Sequence, residues 1–165
     1  MPVMINWVDD LSEEKESSCF KISALIGELI VHRVEQVVTK TEWCIYSSEI
    51  RSSKNDRQCS QIQHFLDNPK GSLVINLKKQ GTGFRNKVWS EICKIPVGRV
   101  LSYSELAKKI DSGPRAVANA CRDNIYPGII PCHRVVAKSG LGGFMGQTNG
   151  KPLEIKRKLL QMEMQ

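Results

Sequence analysis

The stretch Ser72–Ile95, SLVINLKKQGTGFRNKVWSEICKI, changes character halfway along. "SLVINL" is a short apolar run of strand type, and "KKQGTG" breaks it with polar residues and two glycines. "GFRNKVWSEICKI" then sets Phe84, Val88 and Ile92 four apart with Trp89 beside them, the stripe of a helix. One structural regime ends near residue 80 and another begins. The expectation is a two-domain α/β chain with boundaries 1–80 and 81–165.

Toward the N-terminus the pattern is strands plus one helix. "NDRQCSQIQHFLDNPKG" predicts a helix capped by Asn55 and stopped by Pro69 and Gly71, with Ile62, Phe65 and Leu66 on one face. "TEWCIYS" reads as a strand. "FKISALIGELIVHRVEQVV" reads as two, turned at Gly27. The first nineteen residues, acidic around "DDLSEEKESS", predict a partly ordered segment. At 165 residues and 41% hydrophobic, the chain can bury a core without staples.

Toward the C-terminus the pattern is helical. "PVG" ends the helix opened after the break, and "SYSELAKKI" follows with Leu106 and Ile110 four apart. After the turn "DSG", Pro114 suits the first position of a helix, where its missing N–H costs nothing. That helix, "PRAVANACRDN", starts on Arg115 and carries Ala116, Ala118 and Ala120. Two short helices joined by a Gly-containing turn predict a helix-turn-helix, although many helical hairpins bind no DNA. Charge adds to the case. Residues 1–80 hold 10 Lys/Arg against 11 Asp/Glu, and residues 81–165 hold 14 against 6. The basic half suggests a polyanion partner, and a merely solvated surface accounts for it equally well.

Six cysteines with loose spacing, and no signal-peptide pattern before them, predict free thiols in a reducing compartment. No apolar run approaches membrane-spanning length, so a soluble cytoplasmic protein is expected. Cys132 stands out, within "NIYPGIIPCHRVVAKSG" (124–140). A reactive thiol needs a base or a positive environment, and His133 is next in sequence. In a regular strand the two side chains would point apart. Pro131 and Gly128 favour an irregular backbone that could bring them together or admit a bridging water. A buried inert thiol beside a satisfied histidine is the alternative.

"PCHRVV", with Asn124 eight positions before the cysteine, resembles the active-site signature of the O6-alkylguanine-DNA alkyltransferases. Further blocks of that family match in order: "GTGFRNKVWSEICKIPVGRVLSYSELAKKI" resembles its opening helix and the segment after it. "RAVANACRDN" resembles its recognition helix and "KRKLLQME" its closing helix. The blocks span most of residues 81–165. The first 80 residues resemble the family only in length and strand-then-helix character.

The resemblance implies a ribonuclease-like first domain and a helical, DNA-binding second one. It also implies direct reversal of O6-alkylguanine damage by single, irreversible alkyl transfer to Cys132. His133 would take the thiol proton through a water, and Glu163 would orient its ring. Asn124 would sit at the hinge between recognition helix and active-site strand, and Tyr103 would protonate the departing guanine. Arg115 would fill the stack left by a flipped nucleotide, Arg122 would hold phosphate, and Arg134 joins them as a DNA contact. Ala116, Ala118 and Ala120 would let the helix press into the minor groove without reading sequence. Gly143, Phe144 and Met145 would line the substrate pocket with Tyr103. The expected partner is double-stranded DNA carrying the lesion, bound by a monomer with no cofactor and no membrane association.

The sequence departs from the family in three places. Ile125, not proline, follows Asn124; Phe144 stands where a tyrosine is common; and "FMGQTNGKPLEIK" reads as a longer loop before the last helix. Glu154 is the fallback for Glu163, though early in that helix. Cys19, Cys44, Cys59, His32 and His64 are zinc-ligand types without ligand spacing, so no metal is expected. Cys93 and Cys121 read as core thiols. An alkyltransferase-like lesion sensor without transfer, or a plain helix-turn-helix regulator, are the rival classes. The sensors have tryptophan where this chain has Cys132.

Overall fold

The computed structural model describes residues 3–46, 49–52 and 56–165. The chain divides into two compact units, residues 1–80 and 81–165. Five strands of the first unit are β1 (Val3–Val8), β2 (Ser17–Ala24), β3 (Gly27–Val34), β4 (Val37–Trp43) and β5 (Leu73–Lys78), with helix α1 (Arg57–Asp67). They form one mixed sheet in the order β1-β5-β4-β3-β2, with β5 parallel to both of its neighbours and the β2-β3-β4 meander antiparallel.

Alternation builds this sheet. Leu73, Ile75 and Leu77 of β5 are buried while Val74 between them is exposed, the period of a strand with one covered face. The N-terminal segment departs from expectation: Val3–Val8 is an ordered strand in register with Leu73–Lys78, and β2 already begins at Ser17. The apolar letters of VMINWV were outweighed by the acidic run after them. A second difference is the split at Glu35 and Gln36. Glu35 adopts φ 53°, turning the chain so that "VV" opens β4 rather than ending β3, and the strand stops at Trp43, before "CIYS".

Asn55, the expected helix cap, lies outside the described residues; the cap seen is Asp56, whose carboxylate accepts from the Cys59 amide. Asp56 also pairs with the buried Arg33 of β3, whose Nη1 donates to Asp56 Oδ1 and to Gln58 Oε1, each at 2.9 Å. Arg33 stacks 4.5 Å from the Phe20 ring centre. The hydrogen bonds from Arg33 hold the Asp56 carboxyl down at about 2. Cys59, Ile62, Phe65 and Leu66 make the buried face of α1.

The second unit contains α2 (Gly83–Cys93), β6 (Leu101–Ser102), α3 (Tyr103–Lys109), α4 (Pro114–Arg122), β7 (Val135–Val136, parallel to β6) and α5 (Lys151–Met164). Helix starts follow local chemistry. Thr82 caps α2, Ser102 and Glu105 form a reciprocal capping box on α3, and Pro114 opens α4. Val88, Trp89 and Ile92 are buried, and the Trp89 indole donates to the Ala120 carbonyl at 2.9 Å. Phe84 is not part of that stripe: it lies in the first turn of α2, exposed. Ala120 is buried in the core, so only Ala116 and Ala118 remain toward the open side of α4. The supposed long loop is shorter, because Lys151–Lys156 already belong to α5. Among the described residues, no helix is long and apolar enough to cross a membrane.

Candidate active site

Cys132 sits in a single 3₁₀ turn, Cys132–Arg134, between Pro131 and β7. The expected active-site strand is this turn instead, and Asn124 is what shapes its approach. The Asn124 side chain accepts from the Tyr126 amide at 2.9 Å and donates to the Ile130 carbonyl at 3.1 Å. Its amide also donates to Cys132 Sγ at 3.1 Å. One side chain thereby ties the end of α4 to the thiol, and no proline after Asn124 is needed for that.

The thiol lines a cavity of about 250 Å³, together with Tyr103, Ala118, Cys121, Arg122, Gly143, Phe144 and Met145. The structure therefore gathers the residues expected at the pocket. Burial pushes the Cys132 thiol up, opposed by the Asn124 hydrogen bond and the charge of Lys156. Burial likewise pushes the Tyr103 hydroxyl up to about 12. Gly142, at φ 73°, passes so close to Tyr103 that an added Cβ would lie 3.2 Å from the hydroxyl oxygen and 3.1 Å from the Ala137 nitrogen. Only glycine suits this crossing.

The residue after the thiol belongs to a buried pair. His133 Nε2 lies 2.6 Å from Glu163 Oε1, so Nε2 carries the proton toward the carboxylate and Nδ1 is left as the acceptor. Nδ1 is buried and has no hydrogen-bond partner. Burial holds the imidazole below its ordinary pKa despite the carboxylate beside it. Burial raises Glu163 too, but hydrogen bonds from His133 and Arg134 overcome it and hold the carboxyl down at about 2.

Arg134 is a correction. It is almost wholly buried and cannot reach phosphate. Its Nε donates to Glu163 Oε2 at 3.0 Å, its Nη2 to Glu163 Oε1 at 2.8 Å and its Nη1 to the Ile95 carbonyl at 2.7 Å. It clamps the carboxylate in the bidentate manner suited to guanidinium. Arg115 and Ala116 are exposed at the start of α4, while Arg122 reaches the pocket rim and lies 3.5 Å from Asp123. Glu154 is exposed on α5, away from the buried stripe that carries Glu163.

Cys121 and Lys156 are among the site residues that sequence reasoning missed. Cys121 is not sealed in the core: it lines the pocket, though burial pushes its thiol up to about 12. Lys156 is completely buried, and its Nζ donates to the Val135 carbonyl at 2.8 Å and the Gly143 carbonyl at 2.9 Å. It joins the segment after Cys132 to the pocket wall, and burial lowers its pKa to about 8. The available signal was periodicity: Lys156 falls on the stripe of Pro152, Leu159 and Glu163, where a lone lysine is out of place. Among the described residues, no group of three or more His, Cys, Asp or Glu side chains is placed to hold a metal ion.

Residues 83–165 match the family model described as 6-O-methylguanine DNA methyltransferase, DNA binding domain. A methylated-DNA–protein-cysteine methyltransferase of Archaeoglobus fulgidus is 35% identical over 115 residues, covering 68% of this chain and 77% of its own. One of Methanocaldococcus vulcanius is 33% identical over 152 residues, covering 87% and 88%. Among solved structures, Mycobacterium tuberculosis O6-methylguanine methyltransferase superposes with a TM-score of 0.75 at 25% identity, covering 90% of this chain and 93% of that one. Mycobacterium tuberculosis OGT in complex with DNA gives 0.74 at 28% identity, covering 89% and 92%.

Proposed function

The chain belongs to the O6-methylguanine DNA methyltransferase family, enzymes of direct-reversal DNA repair, and on that premise we propose that Cys132 accepts the alkyl group of O6-alkylguanine in double-stranded DNA. The observation that carries this reading is Cys132 lining a cavity with its sulfur 3.1 Å from an amide donor, while His133, the next residue in the chain, is hydrogen-bonded to Glu163.

The α3–α4 pair is the helix-turn-helix in this reading, with α4 pressed into the minor groove through Ala116 and Ala118. Residues 81–165 form the DNA-binding and transfer domain, and residues 1–80 a structural one. An alkylated base is out of reach while stacked, so it leaves the duplex for the cavity, and Arg115 fills the gap. Arg122 holds phosphate at the rim. Lysines and arginines of the basic unit supply sequence-independent affinity.

Chemistry follows in one displacement. His133 Nδ1 takes the thiol proton through a water, and the Asn124 amide and Lys156 ammonium stabilise the thiolate. The thiolate attacks the alkyl carbon; the carbon–O6 bond breaks and a carbon–sulfur bond forms. Tyr103, kept protonated by its raised pKa, donates its proton to the departing guanine. Return of the imidazolium proton to the phenolate closes the balance, leaving thioether and guanine. Nothing in the site cleaves a thioether, so each chain acts once. The site residues all belong to one chain, so a single copy suffices, working inside the cell where DNA and reduced thiols coexist.

Intact mass after incubation with a duplex carrying O6-methylguanine tests the assignment. Wild type gains one methyl group, and Cys132→Ser binds the duplex without gaining it. Binding without transfer by the wild type would instead mark a lesion sensor.

A further inference from the structure

Asp123 caps the end of α4 one residue after Arg122, which stands at the rim of the Cys132 cavity. Its carboxylate is shared between two arginines from different helices. Arg85 Nη2, from the first turn of α2, donates to Oδ2 at 2.6 Å, and Arg122 Nε lies 3.5 Å from Oδ1. Both arginine side chains remain open to solvent, Arg85 at 40% and Arg122 at 58% exposure. The aliphatic stem of Arg122 lies against the turn at Gly146, where an added Cβ would come 3.5 Å from its Cγ. Residues 81–165 hold 14 Lys/Arg against 6 Asp/Glu, and among the described residues no acidic side chain lines the cavity. A carboxylate next to the rim of such a site runs against its charge. As a stabilising device it is weak, because exposed ion pairs contribute little.

We propose that Asp123 restrains the hold on undamaged DNA by standing in for a phosphate, occupying Arg85 and Arg122 until a nucleic-acid phosphate displaces it. The resulting selectivity, which rests on the alkyl-transfer reading, follows from where the displacing phosphate stands. A nucleotide extruded into the cavity brings its own phosphate to the rim, where Arg122 meets it and the exchange is favourable. A plain duplex keeps its phosphates in regular positions. Each contact with Arg85 or Arg122 must then displace Asp123 against the repulsion of its charge. Of the two pairs, the longer one to Arg122 is the one that yields, while Arg85 keeps Asp123 in place. Asp123 acts only through these arginines, so it is a positioning residue, and what it sets is preference for the lesion.

Anisotropy titrations of the full chain with plain duplex at several salt concentrations test this, Asp123→Asn removing the charge and Asp123→Glu restoring it. Freed arginines add counterion release. Asp123→Asn therefore steepens the log–log salt dependence by about one to two, and tightens plain-duplex binding at about 0.1 M salt by roughly fivefold or more. Asp123→Glu stays near wild type in both. In a Cys132→Ser background, which binds without transfer, Asp123→Asn lowers the preference for O6-methylguanine duplex over plain duplex by about threefold or more. A salt dependence that Asp123→Asn leaves unchanged overturns the proposal, since a mere strut between α2 and α4 would move only the thermal midpoint. An unchanged lesion preference overturns it as well. Failure of the alkyl-transfer reading is seen separately, as wild type that gains no methyl group, and leaves the plain-duplex titration intact as a test.

Discussion

Arg134 and Lys156 are both buried cations, and their surroundings give them opposite duties. Arg134 has a carboxylate partner, so its charge is spent holding Glu163. Arg134→Ala leaves Glu163 buried with only His133 for company, and should lower stability by about 3 kcal/mol or more, read as a drop in denaturant midpoint. Glu163→Gln keeps the volume but removes the charge that orients His133. Transfer should slow by roughly 10²-fold while lesion binding is unchanged, separable by single-turnover kinetics and a binding isotherm. Lys156 faces carbonyls and, among the described residues, forms no ion pair with a carboxylate, so its charge acts on Cys132. Lys156→Met should move the pH profile of Cys132 alkylation by iodoacetamide to higher pH. An unmoved profile would reduce Lys156 to a strut.

Elements show which parts of this molecule were written plainly. The break at "KKQGTG", the capping box at Ser102 and the proline opening α4 are local signals, and helices begin where they stand. Burial is a tertiary property and was harder to see. Phe84 matches its stripe by spacing but lies in the first turn of α2, and Ala120 looks like its neighbours Ala116 and Ala118 yet packs under Trp89. Cys132 and His133 were visible from their types and adjacency, whereas Asn124 and Glu163 were reached only through the resemblance to the alkyltransferase family. Arg134 was misplaced because an arginine in a basic half suggests phosphate, and only the fold reveals the carboxylate 29 residues away in the chain. Helix α4 carries its own prediction. Arg115→Ala, at its exposed start, should weaken binding to lesion and plain duplexes, with a shallower dependence on salt, measured by anisotropy titrations at several salt concentrations.

At the scale of the whole molecule, each unit has a buried arginine clamping a carboxylate: Arg33 on Asp56 in the sheet unit, Arg134 on Glu163 in the other. Both carboxylates have folded pKa values of about 2, below their ordinary values of 3.8 and 4.5. Their stabilisation is therefore complete above the ordinary values and is lost as pH falls toward 2. Acid unfolding should begin below pH about 4, and Asp56→Asn should flatten the part of that curve belonging to residues 1–80, followed by Trp43 fluorescence. The account as a whole turns on the fate of one sulfur atom. Peptide-level mass spectrometry after exposure to excess O6-methylguanine duplex should find methyl at Cys132 alone, reaching one group per chain and going no further. Methyl on another residue, or product that keeps accumulating beyond one per chain, would contradict it.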